Sequence, residues 1–148
     1  MTTATQKDDL AFGKKNEEES VDMLEQYLDT TLKHRGSYSV LDFENPTKTV
    51  FVELKSRRIP STAYTTAIVG LNKIHAMNNI EDMEYYIAFK YSDGLFTIKY
   101  EKELFDTYEV RYEYCRGPRI DCINKPQDVV MVPIKDLTKI EYEEVEEY

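Results

Sequence analysis

The most informative residues of this chain are three charged side chains carried by two short apolar segments. Asp42 lies in the first segment, and Glu53 and Lys55 lie in the second, separated by one leucine. Because alternate residues of a β-strand share a face, Glu53 and Lys55 project to the same side of a sheet. If the segments pair as a hairpin through the turn at Pro46, Asp42 comes close to Glu53.

This set of side chains is suited to phosphate chemistry. Two carboxylates at one place repel each other unless a cation lies between them, and carboxylate oxygens are ligands that Mg²⁺ prefers. A lysine beside such an ion can hold or polarise the water that attacks a phosphate. The hairpin therefore predicts a magnesium site for the cleavage of phosphodiester bonds.

A predicted helix supplies one more carboxylate. From Phe12 to Lys33, apolar residues recur at three- and four-residue steps, as in an amphipathic helix, at Val21, Leu24, Leu28 and Leu32. Glu17 lies on the same stripe, and a glutamate on an inward face needs a partner. Metal ligation would supply one; the alternative is a first-turn glutamate that the helix dipole favours.

The rest of the chain predicts a sheet with few helices. A second helix is predicted at Tyr64–Asn78 and a short helical turn at Lys135–Ile140. Period-two or apolar patterns predict strands, and Gly and Pro predict a loop at Cys115–Asp128. The predicted strands are Tyr38–Phe43, Thr49–Ser56, Glu84–Tyr91, Leu95–Tyr100, Tyr108–Tyr114 and Val129–Ile134. This order predicts an α/β or α+β fold with a mixed sheet.

Length and composition predict one domain. A chain of 148 residues, 41% of them apolar, suffices for a hydrophobic core. We expect a flexible segment at residues 1–10, the domain at 11–140 and an acidic tail at 141–148. The chain has no long apolar run, no secretory signal and only two cysteines. These features predict an intracellular protein with no membrane partner, in cytoplasm or nucleus, with a viral or virion origin open.

The net charge of −9 argues against tight, non-specific binding to DNA, because phosphate binding normally requires a basic excess. Five of the 28 acidic residues lie in the tail, so residues 1–140 carry 23 acidic and 19 basic side chains. A metal site also needs its own carboxylates, and a bound cation reverses the local field. The acidic balance therefore weakens the prediction of a nucleic-acid partner without removing it.

The motifs together resemble a known group of enzymes. Gly13 and Glu17 at a helix start, Asp42 on one strand, and Glu53-Leu-Lys55 on the next are similar to the pattern of the PD-(D/E)XK nuclease superfamily. The resemblance covers about residues 12–80 and is greatest to Holliday-junction resolvases and small resolvase-like endonucleases. It implies a restriction-endonuclease-like α/β core, with a central mixed sheet flanked by helices in α-β-β-β-α-β order. The superfamily's proline before the aspartate is absent here.

The resemblance also implies roles for individual residues. Asp42, Glu53 and the backbone carbonyl of Leu54 would bind Mg²⁺, with Mn²⁺ as a substitute, and Glu17 would complete the site. Lys55 would orient the attacking water or stabilise developing charge. Contacts to nucleic acid, in the first place DNA, would come from basic residues near the motif: Lys14, Lys15, Arg57, Arg58 and Lys73. Because resolvases of this kind act as dimers, a homodimer is a further expectation.

The sequence leaves three functions open. The first is a Mg²⁺-dependent DNA endonuclease, structure-selective in recombination or repair as resolvases are. The second is a catalytically inactive protein of the same fold that serves as a binding or structural module. The third is an unrelated interaction domain in which Glu53 and Lys55 form a surface ion pair. For Arg57 and Arg58 the alternative to phosphate binding is an ordinary solvated strand end.

Overall fold

The computed structural model describes residues 17–36, 41–77, 82–114 and 126–141. Helix α1 covers residues 17–28 of this part. The other elements, in chain order, are β1 (Lys33–His34), β2 (Phe43–Glu44), β3 (Val50–Ser56), β4 (Thr66–Gly70), α2 (Leu71–Met77), β5 (Glu84–Tyr91), β6 (Gly94–Lys99), α3 (Lys102–Phe105), β7 (Glu109–Tyr114), β8 (Pro126–Pro133), a 3₁₀ turn (Ile134–Asp136) and β9 (Thr138–Ile140).

The strands form two sheets. The large sheet has six described strands in the order β1-β2-β3-β5-β6-β9, and the small sheet has the order β4-β8-β7. Strands β3 and β5 run parallel, whereas the other described pairs are antiparallel. The molecule is therefore an α/β protein with a mixed central sheet, as predicted, and its arrangement is that of a restriction-endonuclease-like core.

Each face of the large sheet is covered by a different apolar cluster. On one face, Leu24 of α1 packs with Val52 and Leu54 of β3. On the other face, Phe51 of β3 packs with Val69 and Val132 of the small sheet. Because side chains alternate along β3, the charged residues that follow Phe51 share its face and lie on the side of the small sheet.

The first helix ends earlier than its pattern predicts. Its last residue is Leu28, and Asp29 takes a left-handed conformation with φ 54. Aspartate tolerates this conformation, which terminates a helix because the chain can no longer continue the α-helical ladder. The Glu25 side chain then accepts a hydrogen bond of 2.8 Å from the backbone N–H of Leu32. The predicted end at Lys33 is wrong, since Lys33 already belongs to β1.

The predicted helix at Tyr64–Asn78 is only half correct. Leu71–Met77 is helical, but Thr66–Gly70 forms β4 and pairs with β8 in the register Val69 with Val130. Three of the five residues of β4 are β-branched, which favours a strand once a partner strand is available. A short apolar run of this kind does not by itself distinguish the two states.

Two other predictions need correction in part. After the 3₁₀ turn, residues Thr138–Ile140 are a strand that pairs with β6, where a helical turn is predicted. Residues 126–128, predicted as loop, extend β8. The remaining strand predictions from Val50 onward are confirmed within one to three residues. The predicted flexible N-terminus, most of the loop and most of the acidic tail lie outside the described residues.

Candidate active site

A turn centred on Asn45 sets the geometry of the β2–β3 hairpin. Its Oδ1 accepts hydrogen bonds from the backbone N–H groups of Thr49 (2.8 Å) and Val50 (3.0 Å), and its own N–H donates to the Val50 carbonyl (3.0 Å). Lys48 takes a left-handed conformation in this turn (φ 56). The resulting register places Phe43 opposite Val52, so that Asp42 lies next to the Glu53 segment.

Asp42 stands where the two strands separate. It lies in a bend one residue before β2, and not within a strand as predicted. Its Oδ2 accepts a hydrogen bond of 2.9 Å from the backbone N–H of Leu54, taking the place of a ladder bond, and its carbonyl accepts one of 2.9 Å from Arg35. The Leu54 carbonyl points to the same edge of β3 as the Leu54 N–H, because both groups of a strand residue face one neighbour.

Glu53 is buried and incompletely partnered. It is 2% exposed. Its Oε1 lies 3.6 Å from the Lys55 ammonium and 3.3 Å from the Lys73 ammonium, whereas Oε2 is buried and has no hydrogen-bond partner among the described residues. A buried carboxylate oxygen without a partner is costly, so this atom marks a place where a ligand would stabilise the protein.

The charges at the site shift two pKa values in opposite directions. Burial raises the pKa of Glu53 above its usual value, the Asp42 carboxylate raises it further, and the Lys55 and Lys73 ammonium groups lower it. Burial lowers the pKa of Lys55, while the attraction of Glu53 acts against that change. Shifts caused by burial together with specific charge partners are frequent at functional sites, where catalytic groups need adjusted pKa values.

The donor set fits an oxygen-preferring cation. Asp42 and Glu53 supply two carboxylates, and the Leu54 carbonyl faces the same edge of the strand. Among the described residues, no three His, Cys, Asp or Glu side chains are grouped so as to hold a metal ion. Mg²⁺ is usually bound through one or two carboxylates and keeps several waters, so a pair is sufficient for it.

Glu17 does not join this pair. Its Oε1 lies 3.9 Å from Nε2 of His34, and His34 in turn accepts a hydrogen bond at Nδ1 from the Gly36 N–H. Helix α1 packs on the Val52 face of the sheet, opposite the face that carries Glu53. The role of Glu17 in metal binding stays a prediction, and the structure places the side chain beside a histidine instead.

The predicted basic residues differ in their positions. Lys73 of α2 reaches the site through its contact with Glu53. Arg57 follows β3, and its backbone N–H donates a hydrogen bond of 2.8 Å to the Lys90 carbonyl. Its Nη1 donates to the Ser56 carbonyl. Arg58 is exposed beside it. Lys14 and Lys15 lie outside the described residues.

Sequence reasoning misses Arg35. Its Nε lies 3.5 Å from Glu44, and its guanidinium lies over the Phe51 ring at 5.0 Å from the centroid. Because its backbone N–H also binds the Asp42 carbonyl, Arg35 supports the bend that carries Asp42. The only signal in the sequence is Glu44 itself, a charged residue in a predicted apolar hairpin that needs a cation once buried.

The fold and the site define the class of protein. An aspartate just before one strand of a mixed sheet, beside a Glu-x-Lys motif on the next strand, is the arrangement of PD-(D/E)XK nucleases. In agreement, the family model described as "Phage putative PDDEXK endonuclease" matches residues 4–140. The chain belongs to this family. A search of curated proteins found no match.

In the described residues, every helix is too short or too polar to cross a lipid bilayer.

Proposed function

We propose that this chain is a Mg²⁺-dependent endonuclease that hydrolyses phosphodiester bonds of DNA. The observation that carries the proposal is the buried Glu53 carboxylate. Its Oε2 has no hydrogen-bond partner in the part of the chain that the structure describes, although Asp42 lies beside it and two lysines face Oε1. Membership of a PD-(D/E)XK endonuclease family supports the same reaction. Action inside an infected cell and a role in recombination or repair belong to the proposal.

The metal would be held by Asp42, Glu53 and the Leu54 carbonyl. When bound, Mg²⁺ polarises a phosphoryl oxygen and lowers the pKa of a bound water. With no metal present, Lys55 and Lys73 supply the positive charge that a buried carboxylate requires. This arrangement keeps the site folded before the ion arrives, at the cost of one unpartnered oxygen.

Lys55 would act on the water and on developing charge. It is partly buried on the same face as Glu53, 3.6 Å from the carboxylate, so that its ammonium is fixed and poorly screened by solvent. Preorganised positive charge of this kind stabilises the oxyanion of a phosphoryl transition state. Because burial already lowers its pKa, Lys55 also gives up a proton more readily than an exposed lysine.

Lys73 would position Glu53 and not touch the reacting atoms. It comes from α2 and is the closer of the two lysines to Glu53, at 3.3 Å. Arg57 and Arg58 follow β3 directly and would bind the phosphates on either side of the cleaved bond. A few fixed charges suit a nuclease with an overall acidic surface, because they attract the substrate backbone at one place only.

A preference for branched DNA, as in the resolvases that the motifs resemble, is the finer part of the proposal. The second candidate function is an inactive member of the family that binds nucleic acid or a protein. Glu17 contacts His34, and its helix packs on the face of the sheet opposite to Glu53, which favours this second candidate.

The test is cleavage by the purified protein of duplex, single-stranded and four-way-junction DNA with Mg²⁺, Mn²⁺ or a chelator. We expect cleavage that needs the metal and disappears in Lys55→Ala. A matched control is Lys99→Ala, which removes an exposed lysine from another Glu–Lys pair and leaves cleavage unchanged. If wild type leaves all three substrates intact in both metals, the enzymatic proposal fails.

Metal binding is tested separately by titration calorimetry with Mn²⁺. Wild type is expected to bind, and Glu53→Ala and Asp42→Ala are expected to lose the signal. Binding without cleavage would favour the inactive member of the family. The absence of binding in wild type would overturn the metal site itself.

A further inference from the structure

The part of the chain that leaves the candidate site and returns to it contains no acidic residue. It starts at Lys55 and comes back at Lys73, and the two ammonium groups lie 3.6 and 3.3 Å from the Glu53 carboxylate. The whole chain has 28 acidic residues among 148, yet none occurs at residues 54–77. The basic residues of this segment are Lys55, Arg57, Arg58 and Lys73. An acidic molecule therefore attracts a polyanion at this segment and repels it elsewhere.

The β3–β4 loop, residues 57–65, lies in the middle of this segment and borders the site. It begins two residues after Lys55, directly after β3 ends. Ile59 of the loop packs on the apolar cluster that contains Phe51. Phe51 shares a face of β3 with Glu53, because alternate residues of a strand project to the same side. The loop therefore lies on the same side of the large sheet as the candidate site, just beyond Lys55.

The β3–β4 loop is fixed by hydrogen bonds at three places. Near its start, a backbone N–H of the turn between β5 and β6 donates to the Ile59 carbonyl at 3.0 Å. In its middle, the Asp93 carboxylate accepts bonds from the Ser61 N–H (2.7 Å) and hydroxyl (2.5 Å). At its end, the N–H of Ile134 donates to the Thr65 carbonyl at 2.9 Å. A loop held in this way can present a side chain to a ligand without first being ordered by it.

The fixed loop carries one large exposed ring, that of Tyr64, which is 68% exposed. Two other tyrosines of the described residues are also strongly exposed, Tyr112 at 66% and Tyr27 at 48%. Tyr112 lies opposite Asp128 in the strand pairing, and acidic residues lie two positions before and after Tyr27 in the sequence. Of these three rings, Tyr64 is therefore the one whose segment carries basic charge alone. Aromatic rings beside basic side chains are the combination that binds single-stranded nucleic acid.

We propose that Tyr64 stacks on an unpaired base of the substrate strand, close to the bond that is cleaved. The substrate class is then DNA with a single-stranded stretch at the cleavage point, such as a flap or an opened branch. This role rests on the proposed function, which places the reacting phosphate beside Lys55. It adds a residue that selects the substrate and does not touch the reacting atoms.

The exposure of Tyr64 and the burial of the site favour an unpaired strand over a duplex. A base inside a duplex is covered on both faces by its neighbours, so an exposed ring stacks only on a base outside the helix. Glu53 is 2% exposed, and the side chains of Lys55 and Lys73 are 24% and 21% exposed. A flexible single strand bends into such a recessed site at less cost than a stiff duplex.

The first test measures binding by fluorescence anisotropy, with a chelator present so that nothing is cleaved. The probes are oligothymidylate and an abasic oligonucleotide of the same length, which carry the same phosphates but differ in their bases. Tyr64→Ala is expected to weaken the binding of oligothymidylate about tenfold and to leave the binding of the abasic probe unchanged, whereas Tyr64→Phe keeps both.

The matched control is Tyr112→Ala, at a tyrosine of similar exposure, and it is expected to change neither affinity. Three results overturn the proposal. They are an equal loss on both probes in Tyr64→Ala, the same loss of oligothymidylate binding in Tyr112→Ala, and the absence of binding to oligothymidylate in wild type.

The second test measures cleavage of flap DNA and of blunt duplex DNA with Mg²⁺. Tyr64→Ala is expected to lower kcat/KM on the flap about tenfold and to leave the duplex reaction unchanged. If wild type cleaves both substrates and Tyr64→Ala cleaves each at the wild-type rate, the role of Tyr64 is overturned and the nuclease proposal stands. If nothing is cleaved but binding still depends on Tyr64 and on the bases, the nuclease proposal fails and Tyr64 remains a residue that binds single strands.

Discussion

The two ends of the β2–β3 hairpin differ in whether their buried polar groups are fully hydrogen-bonded. At the turn, Asn45 is 6% exposed, and both its side chain and its backbone are hydrogen-bonded, to Thr47, Lys48, Thr49 and Val50. At the other end, Glu53 is 2% exposed, and within the described ranges one of its two carboxylate oxygens has no hydrogen-bond partner. The turn satisfies its buried polar groups, whereas the site leaves one buried oxygen unsatisfied by the described residues, and this is the oxygen that the proposed function assigns to a metal.

In this hairpin, the turn fixes the strand register, and the register positions the candidate site. A satisfied buried amide stabilises a single register, and that register determines where Asp42 and Glu53 lie. An unsatisfied buried carboxylate costs stability, and a native protein tolerates such a cost mainly at a functional site. Four variants test this contrast: Glu53→Gln and Asn45→Ala change its two ends, and Arg35→Met and Asp93→Asn change partnered carboxylates elsewhere.

The largest effect is expected for Glu53→Gln. The substitution keeps the shape but removes the charge that we propose binds the metal, so the cleavage rate is expected to fall on the order of 10³-fold. The matched control is Glu84→Gln, in an exposed Glu–Lys pair on the neighbouring strand, with cleavage unchanged. Gel-based rates under single-turnover conditions measure both. Equal rates for wild type and Glu53→Gln would contradict the role of this carboxylate.

Asn45→Ala is expected to lower the free energy of unfolding by about 2 kcal/mol, because two backbone donors lose their acceptor and one of them, Val50, is buried. Urea denaturation followed by circular dichroism measures the change. Asn72→Ala is the control, since Asn72 is exposed on α2 and is expected to change stability by less than about 0.5 kcal/mol. A similar loss of stability in both variants would show that the Asn45 hydrogen bonds do not stabilise the turn.

A smaller effect, about 1–2 kcal/mol of unfolding free energy, is expected for Arg35→Met. The variant leaves Glu44 without the cation beside it, in a position that is 9% exposed. Lys99→Met breaks the exposed pair with Glu84 and is expected to cost no more than about 0.5 kcal/mol. If both variants lose the same unfolding free energy, the burial of Glu44 does not strengthen its contact with Arg35.

The smallest effect is expected at Asp93, in the turn between β5 and β6. Its carboxylate accepts hydrogen bonds from the Ser61 hydroxyl (2.5 Å) and N–H (2.7 Å), and these bonds hold the pKa of Asp93 below its usual value. A carboxylate with a lowered folded-state pKa contributes stability above its unfolded-state pKa, and this contribution is lost as the pH falls through the folded-state pKa.

Asp93→Asn is therefore expected to be less stable than wild type at pH 7, with the difference shrinking as the pH falls below the usual aspartate range. Thermal unfolding at several pH values measures this difference. The control is Asp106→Asn, which makes the same substitution directly after α3, at an exposed aspartate paired with Lys102. A difference between wild type and Asp93→Asn that does not depend on pH would contradict the assignment.

The local parts of the fold were predictable from the sequence. Glu53 and Lys55 share a face because a strand alternates strictly, and the position of Asp42 follows from a short hairpin with a turn rich in polar residues. Strands β3, β5, β6 and β7 are confirmed for the same reason. Element ends were less predictable, as at α1, where a single left-handed Asp29 ends the helix.

The errors occurred where distant partners decide the structure. Thr66–Gly70 forms a strand because β8 lies alongside it, and Thr138–Ile140 does so because β6 offers an edge. The residues next to these segments in the sequence do not indicate either strand pairing. The same holds for Arg35, whose contacts with Glu44 and Phe51 depend on how the chain returns after α1.

By itself, the sequence determined which side chains are available for chemistry and how those on one strand are spaced, since both depend on residues a few positions apart. The tertiary structure decided which of them meet. It brought Lys73 from α2 onto Glu53 and left Glu17 beside His34, near the opposite face of the sheet. The physical reason is that a side chain's burial, and therefore its charge partners, depends on elements packed from far along the chain.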